Sequence, residues 1–159
     1  MINDAAEAGI TAIVDQQFDY AGRIMAAGLV PIIEPEVSIS SPHKEQAEML
    51  LHDVIAKHVE ALPEDATIML KVTIPTQVGL YGDLAADPRV LRIVALSGGY
   101  SRDEACALLA RDPNLIASFS RALLEGLTES QTDEQFNAQL ESSIEQIYQA
   151  SVHKQPAST

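Results

Sequence analysis

Apolar positions along this chain recur in two rhythms that alternate from end to end. Over residues 15–27, Phe18, Ala21, Ile24 and Met25 fall at helical spacing and Gly28 supplies a stop, so a helix is expected there. Residues 29–37 form an apolar run broken only by prolines and two glutamates, the pattern of a strand buried on both faces. Ser41-Pro42 opens a helix expected over 41–62, with Pro42 in the first turn, where its missing N–H matters little. Its apolar stripe is Ala47, Leu50, Leu51, Val54, Ile55 and Val59. Ile68–Thr73 reads as a second strand, with Pro75 just past its end. A turn-rich passage holding Gly79, Gly82 and Pro88 leads to a third strand, Val90–Leu96. Ser101 and Glu104 spell Ser-x-x-Glu, a capping box ahead of the next helix. A short strand is expected over 115–119, a helix from about Arg121 and an amphipathic helix over 135–151. Residues 153–159 are expected to be a disordered tail.

Strands that alternate with helices and show no hairpin signal must run parallel, so the expected class is α/β. Two architectures compete: an open doubly wound sheet, and part of a (β/α)8 TIM barrel. A nucleotide-binding open sheet carries a glycine-rich turn after its first strand. Here that place holds Glu34-Pro35-Glu36, which would repel phosphate. Polar residues at the carboxyl ends of successive strands point instead to the rim of a barrel. A complete barrel takes roughly 250 residues; with 159 residues, the chain supplies part of one, as a single domain.

Composition narrows the partners. With 47% hydrophobic residues the chain is expected to fold. A formal charge of -13 argues against nucleic acid or an anionic membrane as the main partner. Any anion must therefore be held locally, by a few cations and backbone N–H groups. Cys106 is the only cysteine, which excludes an intrachain disulfide and fits a reducing compartment. Residues 1–10 carry acids and no basic region, unlike a signal peptide, and no apolar run approaches membrane-spanning length. The expected location is the cytoplasm.

The candidate chemistry centres on Lys71, in the apolar stretch Thr67-Ile-Met-Leu-Lys-Val-Thr73. An unpaired ammonium is expensive to bury, so such a lysine is best explained as an amine that attacks a carbonyl to form a Schiff base. The plain alternative is a strand-end lysine reaching solvent along its alkyl stem. Strand alternation puts Glu34 and Glu36 on one face, Met69, Lys71 and Thr73 on another, and Ile93, Ala95 and Ser97 on a third. Ile68, Leu70 and Val72 are left to pack against helices. If the three polar faces line one interior, two carboxylates, an amine and a hydroxyl converge at its top. Ser97-Gly98-Gly99 is a plain turn or, since glycines let backbone N–H groups approach a ligand, a seat for phosphate. Ser118-Phe119-Ser120-Arg121 runs into a helix, where Arg121 adds a cation to a site favourable for anions. His43, His52 and His58 lie on or beside one helix without ligand spacing, and His153 lies in the tail. All four are expected on the surface, with no metal site.

The segments Gly28-Leu-Val-Pro-Ile-Ile-Glu-Pro-Glu-Val37, Met69-Leu-Lys71, Ala95-Leu-Ser-Gly-Gly-Tyr-Ser101 and Ala117-Ser-Phe-Ser-Arg-Ala-Leu123 closely resemble class I fructose-bisphosphate aldolase, most of all its bacterial branch. They follow the family's order and cover almost the whole chain. The resemblance implies that Lys71 is the Schiff-base lysine, Glu34 the acid/base of carbinolamine dehydration, and Glu36 a supporting carboxylate. It implies that Ser97, Gly98, Gly99 and Arg121 hold a ketose phosphate, with Ser118 and Ser120 beside them. The iminium would act as the electron sink, so neither cofactor nor metal is implied.

One departure from the family matters. The family carries about as much sequence again on the amino-terminal side, with an aspartate that assists carbon–carbon cleavage and basic residues for the second phosphate. Ala5 to Gly9 resembles the stretch before the family's fourth helix, so Met1 reads as an internal methionine. The implied activity, in glycolysis and gluconeogenesis, is reversible cleavage of fructose 1,6-bisphosphate by the intact enzyme. A non-catalytic half-barrel is the alternative. The partners implied are sugar phosphates. Two open strand edges, 29–37 and 115–119, also invite self-association or pairing with an amino-terminal half.

Overall fold

The helix expected from residue 15 begins well before it. In the structure, a computed structural model describing residues 1–155, α1 spans Glu7–Ala26 and buries Ile10, Val14 and Ala21. It ends as expected at Gly28, whose φ of 77° turns the chain so that the Leu29 N–H reaches back to the carbonyl of Ile24. The first strand is much shorter than 29–37: β1 is Ile32–Ile33. Pro31 and Pro35 flank it, and neither has an N–H to extend the ladder. Nor is it buried on both faces, since Ile33 is enclosed while Ile32 is 53% exposed.

α2 (Lys44–Glu60) starts after Pro42, which lies in the preceding turn rather than the first helical turn. Its expected stripe is the buried one, with Leu50 half-buried. β2 (Ile68–Thr73) and β3 (Val90–Leu96) have their predicted bounds. The turn-rich passage between them folds into a short helix, α3 (Gly82–Ala86). α4 (Arg102–Arg111) opens on the predicted box, in which Ser101 accepts the Glu104 N–H and Glu104 accepts the Ser101 N–H. β4 (Leu115–Ala117) is two residues shorter than expected, and α5 (Arg121–Leu124) is a single turn before Gly126, at φ 85°. α6 (Asp133–Val152) carries a second capping box, Thr132 with Gln135, that the pattern reading missed.

All four strands are parallel, in the order β1-β2-β3-β4. The chain is therefore α/β, as expected. One sheet face, built from Ile33, Ile68, Leu70, Val72, Ile93, Ala95 and Leu115, is buried with Leu51, Ile55 and Leu109 of the helices. Removing each such large side chain from water contributes about 1.5–3 kcal/mol. The register corrects one expectation. Lys71 stands beside Val94 and Leu70 beside Ile93, so Ile93 and Ala95 belong to the helix-facing side. Arg92, Val94 and Leu96 share the Lys71 face instead, because paired residues of parallel strands point the same way.

β1 and β4 are the sheet's edges. The outer side of β4 is plugged from α6. The Ala117 N–H donates to Ser151 Oγ (3.1 Å), and the Lys154 ammonium donates to the carbonyls of Leu115, Leu109 and Ala150 at 2.7–3.0 Å. Burial holds the Lys154 amine below its ordinary value, with Asp112 acting against it. The Gln155 N–H also bonds to Ala110 O, so the expected loose tail is tied down this far; residues 156–159 lie outside the described residues. Among the described residues no helix is long and apolar enough to cross a membrane.

Candidate active site

Side chains from all four strand ends meet at one rim. A cavity of about 150 Å³ is lined by Glu34, Glu36, Lys71, Leu96, Ser97, Gly98, Ser118, Ser120 and Arg121. Eight of the nine candidate residues are thus brought together, and Leu96 is a wall the sequence reading did not name. Gly99, the ninth, stands just behind: a Cβ there would lie 3.9 Å from Arg121 Nη1. Three larger hollows, of about 650, 510 and 180 Å³, have mostly apolar walls and no convergent polar set.

Lys71 rises from the middle of β2 and its ammonium lies 2.6 Å from Glu34 Oε1, with the lysine side chain 23% exposed and the glutamate 48%. Carrying the β1–β2 register forward from Ile33↔Leu70 sets Glu34 abreast of Lys71 and Glu36 abreast of Thr73. Glu36 turns toward the other cation: its Oε1 is 4.0 Å from Arg121 Nη2. The amine therefore sits in contact with one acid and across a small gap from an acid–guanidinium pair. Such a contact can pass a proton directly between nitrogen and oxygen.

Thr73, named above only for its face, makes a contact that spacing could not reveal. Its hydroxyl donates to Val37 O at 2.7 Å and accepts from Val37 N–H at 3.0 Å. On the far side, Ile2 bridges to Val37: Ile2 N–H donates to Glu36 O, and Ser38 N–H donates to Ile2 O. The Glu36 carbonyl, both backbone polar groups of Val37 and the Ser38 N–H are thereby engaged.

The Ser97-Gly98-Gly99 loop needs its glycines. Gly98 has φ 62° and Gly99 φ 105°, and a Cβ on Gly98 would come within 2.8 Å of Ile39 Cγ2. Ser97 is buried and reaches the cavity from the loop, not from the strand face predicted for it. Arg121 belongs to a single helical turn, too short for an appreciable dipole, so its positive charge is the anion-attracting element and α5 adds little. Its side chain is 70% exposed.

Two histidines depart from expectation. His52 and His58 are half-buried and bridge elements: His52 Nε2 meets Asp83 at 2.9 Å, and His58 Nε2 meets Asp15 at 2.9 Å. Among the described residues no three His, Cys, Asp or Glu side chains converge as a metal site requires.

Parallel strands alternating with helices, their carboxyl ends carrying the polar set, define the class: an α/β protein corresponding to part of an eight-stranded barrel. The sequence is related, along nearly its whole length, to the class 1 fructose-bisphosphate aldolases. It is 57% identical to that of Synechocystis sp. over 151 residues, 95% of this chain and 50% of the relative. It is 54% identical to that of Clostridium acetobutylicum (95% and 51% covered) and 51% identical to that of Porphyromonas gingivalis (96% and 51%). The chain thus spans about half the length of the curated relatives it matches. A chain in the crystal structure of fructose-bisphosphate aldolase from Plasmodium falciparum shares the fold, with a TM-score of 0.72 at 21% identity over 96% of this chain and 54% of that one. No family model matches.

Proposed function

We propose that this chain is the carboxyl-terminal half of a class I fructose-bisphosphate aldolase that reversibly cleaves fructose 1,6-bisphosphate to dihydroxyacetone phosphate and glyceraldehyde 3-phosphate. The observation that carries the reading is the 2.6 Å contact between Lys71 and Glu34 in a cavity that Arg121 also lines. Lys71 gives its proton to Glu34 and attacks the ketone carbon. The carbinolamine loses its hydroxyl as water, with Glu34 returning the proton, and the C–N double bond forms. The C3–C4 electron pair then flows into that iminium, leaving an enamine, while the C4 hydroxyl proton departs to a base. Ser97, the Gly98 and Gly99 backbone, Ser118, Ser120 and Arg121 hold the ketose phosphate; Glu36 keeps Arg121 and the proton network in place.

A cavity of about 150 Å³ is smaller than the roughly 300 Å³ at which ligand pockets begin. A bisphosphate therefore needs further walls, which the amino-terminal half of the relatives' length would supply by pairing with the open edges. Self-association of two copies is the second way to cover them. The partners are sugar phosphates, with no nucleic acid in keeping with the charge of -13. The place of work is the cytoplasm, in glycolysis and gluconeogenesis, which the single free, buried thiol of Cys106 supports.

Borohydride reduction in the presence of dihydroxyacetone phosphate tests this. The polypeptide of full relative length is expected to gain one covalent adduct, at Lys71, and Lys71→Ala to lose it. Labelling on another lysine, or unchanged labelling in the variant, removes Lys71 as the nucleophile.

A further inference from the structure

The ladder between β1 and β2 stops after Ile33↔Leu70, because Pro35 has no N–H to continue it. Glu34 and Glu36 therefore stand on a stretch of chain with no strand pairing of its own toward Lys71. Gln17 Nε2 of α1 donates to the Glu34 carbonyl at 3.3 Å, and on the side facing β2 one side chain makes up the deficit. The Thr73 hydroxyl takes both hydrogen-bonding groups of Val37, with Thr73 2% and Val37 1% exposed. Thr73 lies two residues beyond Lys71 on the same face of the same strand, and Val37 directly follows Glu36. The hydroxyl thus ties the strand that carries the amine to the segment that carries both acids. We infer that Thr73 is a positioning residue: it sets Glu34 and Glu36 against Lys71 and Arg121 while touching no reacting atom itself.

The inference rests on the roles given to Lys71 and the two acids above. The tie between the two segments is itself geometric. Two hydrogen bonds hold the opposite side of the segment, Ile2 N–H donating to Glu36 O and Ser38 N–H donating to Ile2 O, so that side is indifferent to Thr73. Losing the hydroxyl frees only the side facing Lys71. The Lys71–Glu34 contact then lengthens or varies, and the Arg121–Glu36 gap with it. Displacements of about 1 Å at a reacting group can cost roughly a hundredfold in rate.

The test compares Thr73→Val, which keeps shape and loses the hydroxyl, with Thr73→Ser, which keeps the hydroxyl. The first readout is the carbon-13 signal of the glutamate carboxylates in the 159-residue chain. In Thr73→Val the signals of Glu34 and Glu36 are expected to move, those of Glu45 and Glu60 on α2 to stay, and Thr73→Ser to restore the pattern. The second readout is the trapping rate at Lys71 with dihydroxyacetone phosphate. At saturation it should fall roughly tenfold or more in Thr73→Val, with the half-saturating concentration unchanged within about twofold, and recover in Thr73→Ser. Unmoved Glu34 and Glu36 signals overturn the inference. So does a rise in the half-saturating concentration with no loss of rate. If the unsubstituted protein is not trapped at Lys71, the aldolase reading falls, and the carboxylate signals alone decide the role of Thr73. Should the valine variant not fold, Thr73→Cys, similar in size with a weak hydrogen-bonding group, takes its place.

Discussion

Lys71, the one cation of β2, is paired with an acid just past the end of β1, while Arg121, on a single turn, is half-committed at 4.0 Å from Glu36. That difference suits the separate work proposed for the two positive charges. A tightly paired amine exchanges its proton; an exposed guanidinium stays charged and waits for an oxyanion, which it can grip with two N–H groups. Arg121→Ala should therefore weaken binding of dihydroxyacetone phosphate by about tenfold or more, and of unphosphorylated dihydroxyacetone by far less. Calorimetric titration of both ligands checks this, and equal losses would count against the phosphate role. Lys71 was legible as a charged group in an apolar strand, Glu34 and Glu36 as two acids sharing one face, and Arg121 as a cation at a helix start. Thr73 was visible only as a member of a face. A threonine in a strand is ordinary by propensity, and its hydroxyl acquires meaning from Val37, which lies 36 residues away.

Helix α2 is held at three points by histidine–aspartate contacts: His43 with Asp4 ahead of it, His52 with Asp83 of α3, and His58 with Asp15 of α1. At His52 burial opposes the charged form, but hydrogen bonds to Asp83 and Asp53 outweigh it and hold the imidazole above its ordinary value of 6.5. A folded-state value raised above the unfolded one adds stability in full below about pH 6.5. That share is lost as pH climbs through the raised value. His52→Gln should consequently remove part of the stability difference between about pH 5.5 and pH 8, as urea midpoints measured at both would report. An unchanged difference would mean that the α2–α3 contact does not depend on the charge. At this scale the long elements were legible from apolar spacing, as in β2, β3 and the buried stripe of α2. The short ones were not. β1 shrank because prolines remove donors, and α5 stopped after one turn at Gly126. Both lengths depend on where neighbouring chains supply hydrogen bonds.

Taken whole, the molecule is a four-stranded parallel sheet with helices over one face and a rim of polar groups at one end. Its two edges differ. β4 is plugged by Ser151 and Lys154 of the α6 end, whereas β1 and the residues leading into it expose Leu29, Val30 and Ile32, at 64%, 47% and 53%. An apolar open edge favours association with further strands. The 159-residue chain alone is expected to show little aldol cleavage, and mixing it with the amino-terminal half of a relative to raise activity and slow amide exchange at residues 29–37. Near-normal turnover by the pure chain would overturn this reading. By itself the sequence determined the strand–helix alternation, the parallel sheet and the kinds of residue at the strand ends, since these follow from local periodicity and backbone chemistry. Only the tertiary structure decided that Val94 and Leu96, not Ile93 and Ala95, flank the lysine, that Ser97 arrives from a loop, and that a threonine hydroxyl stands in for a missing strand ladder. Register and side-chain bridges are settled by contacts between distant segments, and no window of sequence contains both partners.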